Sequence, residues 1–213
     1  MKARRIIHLS IGLLLSLLAS AIAPGHHSAQ LSYRILPSSQ LFLEGTTNIN
    51  AFTCNCKSVQ SSPRLRLEME EREESQSAVF DNAQLKIRTK DIDCGNRNMN
   101  KDLHHTLRAD EYPSIGIIIE EASLKNGVNL AGGSDWRQLT TRALLTVAGT
   151  TRTVQLEVKA RKTSPEAYRF ISRYTIKMTD FNIAPPSAML GLVKVNDQIE
   201  INFDLAIAAE VLK

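Results

Sequence analysis

The sequence predicts a mainly β protein: a single antiparallel eight-stranded barrel with one short helix inserted between strands. At least eight segments alternate apolar and polar residues, as strands with one buried face do, and turn residues separate them at hairpin spacing. The links are too short for parallel crossovers, so the strands are expected to pair antiparallel. Closure is favoured because it removes exposed strand edges. An immunoglobulin-like sandwich is the alternative, and it would leave the helix as an insertion.

Residues 1–21 have the three parts of a secretory signal peptide. Basic residues at positions 2, 4 and 5 precede the apolar run Ile11–Leu18, and small residues follow at 19–21. We expect cleavage after Ala21, a flexible lead-in at 22–30, and a mature protein in the periplasm or outside the cell. An uncleaved membrane anchor is the alternative, because the apolar stretch Ile6–Ala23 is nearly long enough to span a bilayer.

Charge and composition argue against nucleic-acid binding. The chain has a formal net charge of +4, and residues 1–21 hold three basic and no acidic residues, which leaves +1 for the mature protein. A nucleic-acid-binding surface needs clustered basic residues, and single-stranded ligands favour aromatic stacking platforms. Aromatic residues make up only 5% of this chain.

Alternating segments before the helix predict the first strands. Leu31–Ile35 alternates apolar and polar residues, and a turn at Pro37–Ser39 leads to further strand-like sequence up to Phe52. Arg64–Glu70 has one apolar and one charged face, and Ala83–Thr89 repeats the pattern. The aliphatic residues expected to face inward in the latter two segments are Leu65, Leu67, Leu85 and Ile87.

A single short helix is predicted after these strands. Met99, Leu103 and Leu107 recur every four residues and form one narrow apolar stripe on a helical surface. Such a helix needs an apolar surface to cover. The open end or side of the barrel is the natural candidate, so we expect the helix from Asn98 to Ala109 to guard the entrance.

The helix has recognisable start and stop signals. Asn96 or Asn98 can cap its first turn, because a short side-chain amide accepts hydrogen bonds from the unpaired N–H groups there. Pro113 ends it, because the residue before a proline is driven to extended geometry. The chain therefore leaves the helix as another strand.

The last strands follow a glycine turn. Thr141–Val147 and Thr153–Ala160 flank a turn at Gly149–Thr150, and the final strand, which contains Ile199–Ile207, is expected to be the longest. The inward-facing residues named on these strands are Val154, Leu156, Ile201 and Phe203.

Three stretches carry a family resemblance. They are Gly95–Ile115, Leu145–Leu156, and Phe181–Gly191 followed by Val195–Ile201. In this order they resemble segments of the YceI-like family of polyisoprenoid-binding-type periplasmic proteins. The resemblance implies a lipocalin-like barrel over residues 31–213 that encloses an isoprenoid in its interior.

Three cysteines in an exported chain predict one disulfide. Cys54 and Cys56 share one strand face, so we expect Cys94 to bond with one of them rather than the two with each other. We choose Cys54 and leave Cys56 as the alternative. A metal site is disfavoured, because the one-residue spacer between Cys54 and Cys56 is shorter than in zinc sites and no fourth ligand is evident.

No catalytic motif is evident in the sequence. There is no Gly-x-Ser-x-Gly nucleophile elbow and no glycine-rich phosphate loop before a helix. His104 and His105 are adjacent, so on a helix they point about 100° apart and cannot chelate together. We expect a binding protein rather than an enzyme, with no cofactor and no metal.

Two functions are compatible with an apolar barrel interior. The residues alone favour inward side chains that simply pack together, giving a filled barrel that acts as an envelope accessory or protein-partner module. The family resemblance favours instead an exported carrier whose partner is an isoprenoid or acyl chain, without nucleic acid and without stable membrane insertion. The residues expected to contact that chain are Met99, Leu103, Leu107, Leu85, Ile87, Leu156, Ile201 and Phe203.

Overall fold

The computed structural model describes residues 26–57, 59, 64–72, 75–125 and 135–212. In this part of the chain, twelve β-strands accompany one α-helix. The elements are β1 (His26–Ile35), β2 (Gln40–Thr47), β3 (Ala51–Cys56), β4 (Leu65–Arg72), β5 (Ser77–Arg88), β6 (Ile92–Asp93), α1 (Arg97–Thr106), β7 (Ser114–Leu124), β8 (Arg137–Val147), β9 (Thr150–Ser164), β10 (Ala167–Lys177), β11 (Ser187–Ala188) and β12 (Val193–Val211).

Eight of these strands form a closed antiparallel ring. Starting from β1, hydrogen-bonded neighbours follow in the order β4, β5, β7, β8, β9, β10 and β12, and β12 pairs again with β1. Each of these pairings is antiparallel. The predicted antiparallel eight-stranded architecture with one short helix is confirmed, and a sandwich of two separate sheets does not describe this ring.

The long last strand β12 organises the sheet. One side pairs with β10 and the other pairs with β1 and β2 in succession. β2 continues into a short extension formed by β3 and β6, which the eight-strand prediction did not include. β12 also pairs with the short β11, and its 19 residues are long enough for these four partners.

A fully buried serine bridges the break between β1 and β2. The Ser39 hydroxyl donates to the carbonyl oxygen of Ala206 over 3.1 Å and accepts from the Ala206 N–H over 2.9 Å. The Ser39 side chain thus replaces strand-to-strand backbone hydrogen bonds that are interrupted at the turn between β1 and β2. Without it, the Ala206 N–H would lose its partner, whereas the Ala206 carbonyl would keep the hydrogen bond from the Leu36 N–H at 2.8 Å.

The ring has two distinguishable ends. At the helix end lie α1, the β8–β9 turn at Ala148–Gly149 and the 3-10 turn Met178–Phe181; Arg108 contacts that β8–β9 turn and Asn182 contacts Thr150 just beyond it. At the opposite end lie the β9–β10 turn and the end of β12, where the Ala209 N–H donates to the Glu166 carbonyl. Strands β8 and β9 run between these ends.

Several boundaries differ from the sequence prediction. β1 begins at His26, so residues 26–30, predicted as a flexible lead-in, are in fact paired with β4. The reason is pairing: a polar segment beside a long partner strand satisfies its backbone through that strand. α1 ends at Thr106, and turns carry the chain on to Ala109.

The predicted signal peptide at residues 1–21 lies outside the described residues. Among the residues that are described, no helix combines the length and the apolar character needed to cross a membrane.

Candidate functional site

All eight predicted ligand-contacting residues belong to one apolar cluster. Five are core members that are at most 9% exposed, and three are half-buried and pack against that core. The first group is Ile87, Leu107, Leu156, Ile201 and Phe203, and the second is Leu85, Met99 and Leu103. Leu65 and Leu67, also predicted to face inward, are half-buried on β4 and are outside this cluster.

The helix α1 forms where its sequence signals place it. The Asn96 side chain accepts hydrogen bonds from the N–H groups of Asn98 and Met99, at 2.9 and 3.1 Å, which satisfies two donors of the first turn. Met99 and Leu103 turn toward the core but stay half-buried, whereas Leu107 at the end of the helix is 7% exposed. The apolar stripe of α1 therefore lies at the edge of the core, and only its last residue, Leu107, is buried within the core.

A disulfide anchors the N-terminal side of α1. Cys54 on β3 is bonded to Cys94, which lies two residues before the capping Asn96. This confirms the predicted pairing, and Cys56 is buried on the same face of β3. Because the Cys54 sulfur is in a disulfide, Cys54 and Cys56 do not offer a pair of thiolates to a metal ion.

The Asp93 carboxylate reinforces this anchor. It accepts hydrogen bonds from the Lys57 ammonium at 2.6 Å, and from the Asn100 amide and the Gly95 N–H at 2.9 Å. The hydrogen bond from Lys57, followed by those from Asn100 and Gly95, holds the pKa of Asp93 well below its usual range. One carboxylate thus joins β3, the loop before α1 and the first turn of the helix.

A second anchor holds the C-terminal side of α1. The Arg108 guanidinium donates to the Ala148 carbonyl over 2.7 Å and stacks on the Tyr112 ring at 4.6 Å from its centre. Tyr112 covers Gly149, where a Cβ atom would lie 2.4 Å from a ring carbon. The Thr89 hydroxyl donates to the Tyr112 carbonyl over 2.9 Å, which ties this segment to the end of β5.

The helix is consequently tethered to the rest of the fold on both sides. Its N-terminal side is held by β3, in the extension beside the ring, and its C-terminal side by the β8–β9 turn of the ring. The cluster against which Met99 and Leu103 pack consists of apolar or sulfur-containing side chains, apart from the hydroxyls of the partly buried Tyr112 and Tyr174. Such an interior can accommodate hydrocarbon, whereas a charged group would lose its hydration there.

Two surface depressions lie away from these residues. One, of about 70 Å³, lies at the end of the ring opposite α1, and its lining includes Arg64 and Glu166. The other, of about 370 Å³, lies beside the end of β5, where Lys90 and Asp110 form an ion pair at 2.6 Å that lowers the pKa of Asp110. Neither depression is lined by any of the eight predicted residues.

Sequence reasoning missed some residues that shape the interior. Tyr33 is buried, and its hydroxyl donates to the Gln84 carbonyl at 2.8 Å and accepts from the Gln84 N–H at 2.9 Å, just after a register shift in β5. Burial raises the pKa of Tyr33. Phe181 is 2% exposed and fills the core from the 3-10 turn after β10. Its only sequence signal was its place in the Phe181–Gly191 motif.

Comparison with solved structures supports the fold. A polyisoprenoid binding domain from Saccharophagus degradans, implicated in plant cell wall breakdown, superposes with a TM-score of 0.59 at 14% identity, covering 84% of this chain and 98% of that one. BcnA of Burkholderia cenocepacia gives a TM-score of 0.57 at 18% identity, covering 79% of this chain and 95% of that one. At these identities the likeness extends to the fold alone.

The sequence itself gives the family. No curated protein matches the chain in sequence. The YceI-like domain matches over residues 33–207, which includes every strand of the ring at least in part, the helix α1 and the Cys54–Cys94 pair. On this match, the chain belongs to the YceI-like domain family.

Proposed function

We propose that this protein is an exported, non-enzymatic carrier that holds an apolar chain, an isoprenoid or an acyl chain, inside its strand ring. The observation that carries the proposal is the single apolar cluster that joins residues of β5, β9, β12 and α1. An apolar chain enclosed there would gain about 0.8 kcal/mol for each methylene group removed from water.

The family membership supports this choice of ligand. One solved structure with this fold is described as a polyisoprenoid binding domain. An isoprenoid or acyl chain matches the chemistry of the interior, because neither carries charged groups along its length that would need a buried partner. No cofactor or metal is part of the proposal.

In this proposal α1 guards the entrance. Met99, Leu103 and Leu107 would contact the end of the chain near the opening, whereas Leu85 and Ile87 would line the wall. The remaining wall residues would be Leu156, Ile201 and Phe203. The half-buried state of Met99 and Leu103 supports an entrance role, since side chains at a mouth keep part of their surface in solvent.

The compartment follows from two observations. A Cys54–Cys94 disulfide is typical of proteins in an oxidising environment. The sequence of residues 1–21 has the features of a signal peptide, so we place the mature protein in the periplasm or outside the cell. N-terminal sequencing of exported protein would test this placement, and full-length protein retained in membranes would contradict it.

A filled barrel that acts through its surface is the second candidate. The observation in its favour is that five of the eight predicted contact residues are core members and that neither surface depression reaches them. Under this alternative the side chains pack against one another and no small molecule enters. Mass spectrometry of lipids extracted from the native protein separates the two, because only the carrier yields a stoichiometric apolar compound.

A further inference from the structure

Two neighbouring loops place aliphatic side chains in solvent at the helix end of the ring. Ile49, in the β2–β3 turn, is 68% exposed, and Leu192, just before β12, is 72% exposed. Leu190 is fully exposed and has a φ of 56°, in the left-handed region that leucine seldom adopts. We name these three residues the apolar tip.

Hydrogen bonds hold the two loops side by side. The Asn48 side-chain amide donates to the Leu192 carbonyl over 2.9 Å. The Asn48 N–H donates to the Lys194 carbonyl over 3.0 Å, and the Lys194 N–H donates to the Asn48 side-chain oxygen over 2.8 Å. The exposed aliphatic residues therefore stand on two adjoining loops, and exposed apolar residues that cluster mark interaction surfaces.

The patch lies at the same end of the ring as α1. Asp197, near the start of β12, accepts hydrogen bonds from the Thr179 N–H and hydroxyl in the 3-10 turn after β10. Asn182 follows that 3-10 turn, and its side-chain amide donates to Thr150 beside the β8–β9 turn. The β8–β9 turn also accepts the hydrogen bond from Arg108 at the end of α1. The proposed entrance and the apolar tip thus share one end.

We propose that the apolar tip inserts into the surface of a lipid bilayer, so that the entrance faces the membrane. This inference rests on the proposed function: an apolar cargo chain resides in membranes, and a carrier must reach the bilayer to take it up or release it. Aliphatic side chains that project from turns suit insertion among lipid headgroups. A protein partner would favour a patch richer in aromatic residues and arginine, and the tip has neither.

The charges around the tip fit an anionic membrane surface. Residues 45–50 and 186–194 contain a single charged residue, the exposed Lys194, and no acidic one. The flanking carboxylates, Glu44 and Asp197, hydrogen-bond to uncharged groups of the protein, the Asn202 amide and Thr179. A lysine beside an inserted aliphatic patch adds attraction to anionic headgroups.

The test is flotation of the mature protein with large unilamellar vesicles of equal parts phosphatidylethanolamine and phosphatidylglycerol. The tip variant is Leu190→Ser/Leu192→Ser. The matched control is Ile118→Ser/Val211→Ser, which removes two exposed aliphatic side chains, one on β7 and one at the opposite end of β12. All four positions are exposed, so unchanged melting curves should verify that both variants fold.

We expect the tip variant to bind vesicles about tenfold more weakly or worse, and the control to bind like the wild type. Lys194→Glu should weaken binding to these vesicles and leave binding to pure phosphatidylcholine vesicles unchanged. Equal flotation of the tip variant and the wild type, or no flotation of the wild type, would overturn the proposal. So would a wild-type dimer that the tip variant converts to monomer without a change in vesicle binding, since the patch would then join two copies.

Lipid extraction keeps this proposal separate from the proposed function. Vesicle binding that depends on the tip, in a protein whose extract contains no apolar compound, would retain the membrane contact and reject the carrier. An extract with a stoichiometric apolar compound, from a protein whose tip variant floats unchanged, would retain the carrier and reject the membrane contact.

Discussion

The Arg108 guanidinium donates a hydrogen bond to the Ala148 carbonyl over 2.7 Å and joins the end of α1 to the turn between β8 and β9. The two residues are 40 positions apart in sequence, so this contact joins the end of the helix to a distant part of the chain. Together with the Cys54–Cys94 bond it fixes α1 at both ends. Each of the two anchors can therefore be removed by mutation while the other is kept.

Removing the C-terminal anchor should loosen α1. Arg108→Ala deletes the hydrogen bond to Ala148 and the contact with the Tyr112 ring, at a cost of about 1 kcal/mol from the hydrogen bond. Amide hydrogen exchange should accelerate in the last turn of the helix and at the β8–β9 turn. Arg97→Ala, at an exposed position at the start of α1, is the control and should leave that exchange unchanged. Identical exchange in both variants would show that Arg108 does not hold the helix.

A methyl group at Gly149 should disturb the same anchor more severely. Gly149 has a φ of +80°, and a Cβ atom there would lie 2.4 Å from the Tyr112 ring. Gly149→Ala therefore combines left-handed strain, about 1–2 kcal/mol, with a steric clash. Gly95→Ala is the matched control, because Gly95 has a φ of +73° but open space around its Cβ position. Chemical denaturation should show a larger loss of stability at Gly149, and equal losses would contradict the clash.

Loss of the N-terminal anchor should be costly for the whole fold. The Cys54–Cys94 bond closes a segment with a sequence separation of 40, which corresponds to about 4 kcal/mol in the chain-entropy description. Cys54→Ala/Cys94→Ala should lower the free energy of unfolding by that order, whereas Cys56→Ala should cost about 1 kcal/mol for a small buried truncation. Comparable losses of unfolding free energy in the two variants would show that the disulfide contributes little to stability.

The Asp93 cluster should give stability a defined pH dependence. The pKa of Asp93 is depressed in the folded protein, so its contribution is complete above the ordinary aspartate pKa and declines as pH falls toward the lower folded value. In thermal melts, Asp93→Asn should be less stable than the wild type at neutral pH, and the two curves should converge in acid. Asp102→Asn, at an exposed position of α1, is the control and should follow the wild type. A constant difference at all pH values would exclude this linkage.

Local signals explain how much of this fold could be predicted from the sequence. Asn96 caps α1 because its side chain reaches two free N–H groups, and the alternating segments became strands of the ring. The shared face of Cys54 and Cys56 directed Cys94 to one of these two residues, and the structure shows the bond to Cys54. These features depend on residues close in sequence or on the simple two-residue period of a strand.

Features that depend on distant partners could not be predicted. Residues 26–30 are a strand because β4 pairs with them, and their own polar sequence gives no such indication. Ser39 and Tyr33 replace backbone ladder bonds at irregular points, which requires knowing where two strands lose register. For the candidate site, apolar periodicity identified residues that do meet in one cluster, but periodicity is the same for a packed core and for a lined cavity.

Leu103 offers a way to distinguish an entrance residue from a core residue. Leu103 is half-buried on α1, whereas Ile201 is 7% exposed inside the ring. If Leu103 contacts the bound chain at the mouth, Leu103→Ala should weaken retention of extracted lipid with little change in melting temperature. Ile201→Ala should instead lower the free energy of unfolding by about 2–5 kcal/mol. A comparable loss of stability from Leu103→Ala would make it part of the packed core.

The most direct test of the carrier is mass spectrometry of the compounds extracted from natively purified protein, with the protein amount measured in parallel. We predict one class of isoprenoid or acyl compound at near-stoichiometric amount, which decreases in Leu103→Asp because an unpaired carboxylate beside hydrocarbon is costly. An extract with no apolar compound above the level of an unrelated protein purified in the same way would contradict the carrier and favour the filled barrel.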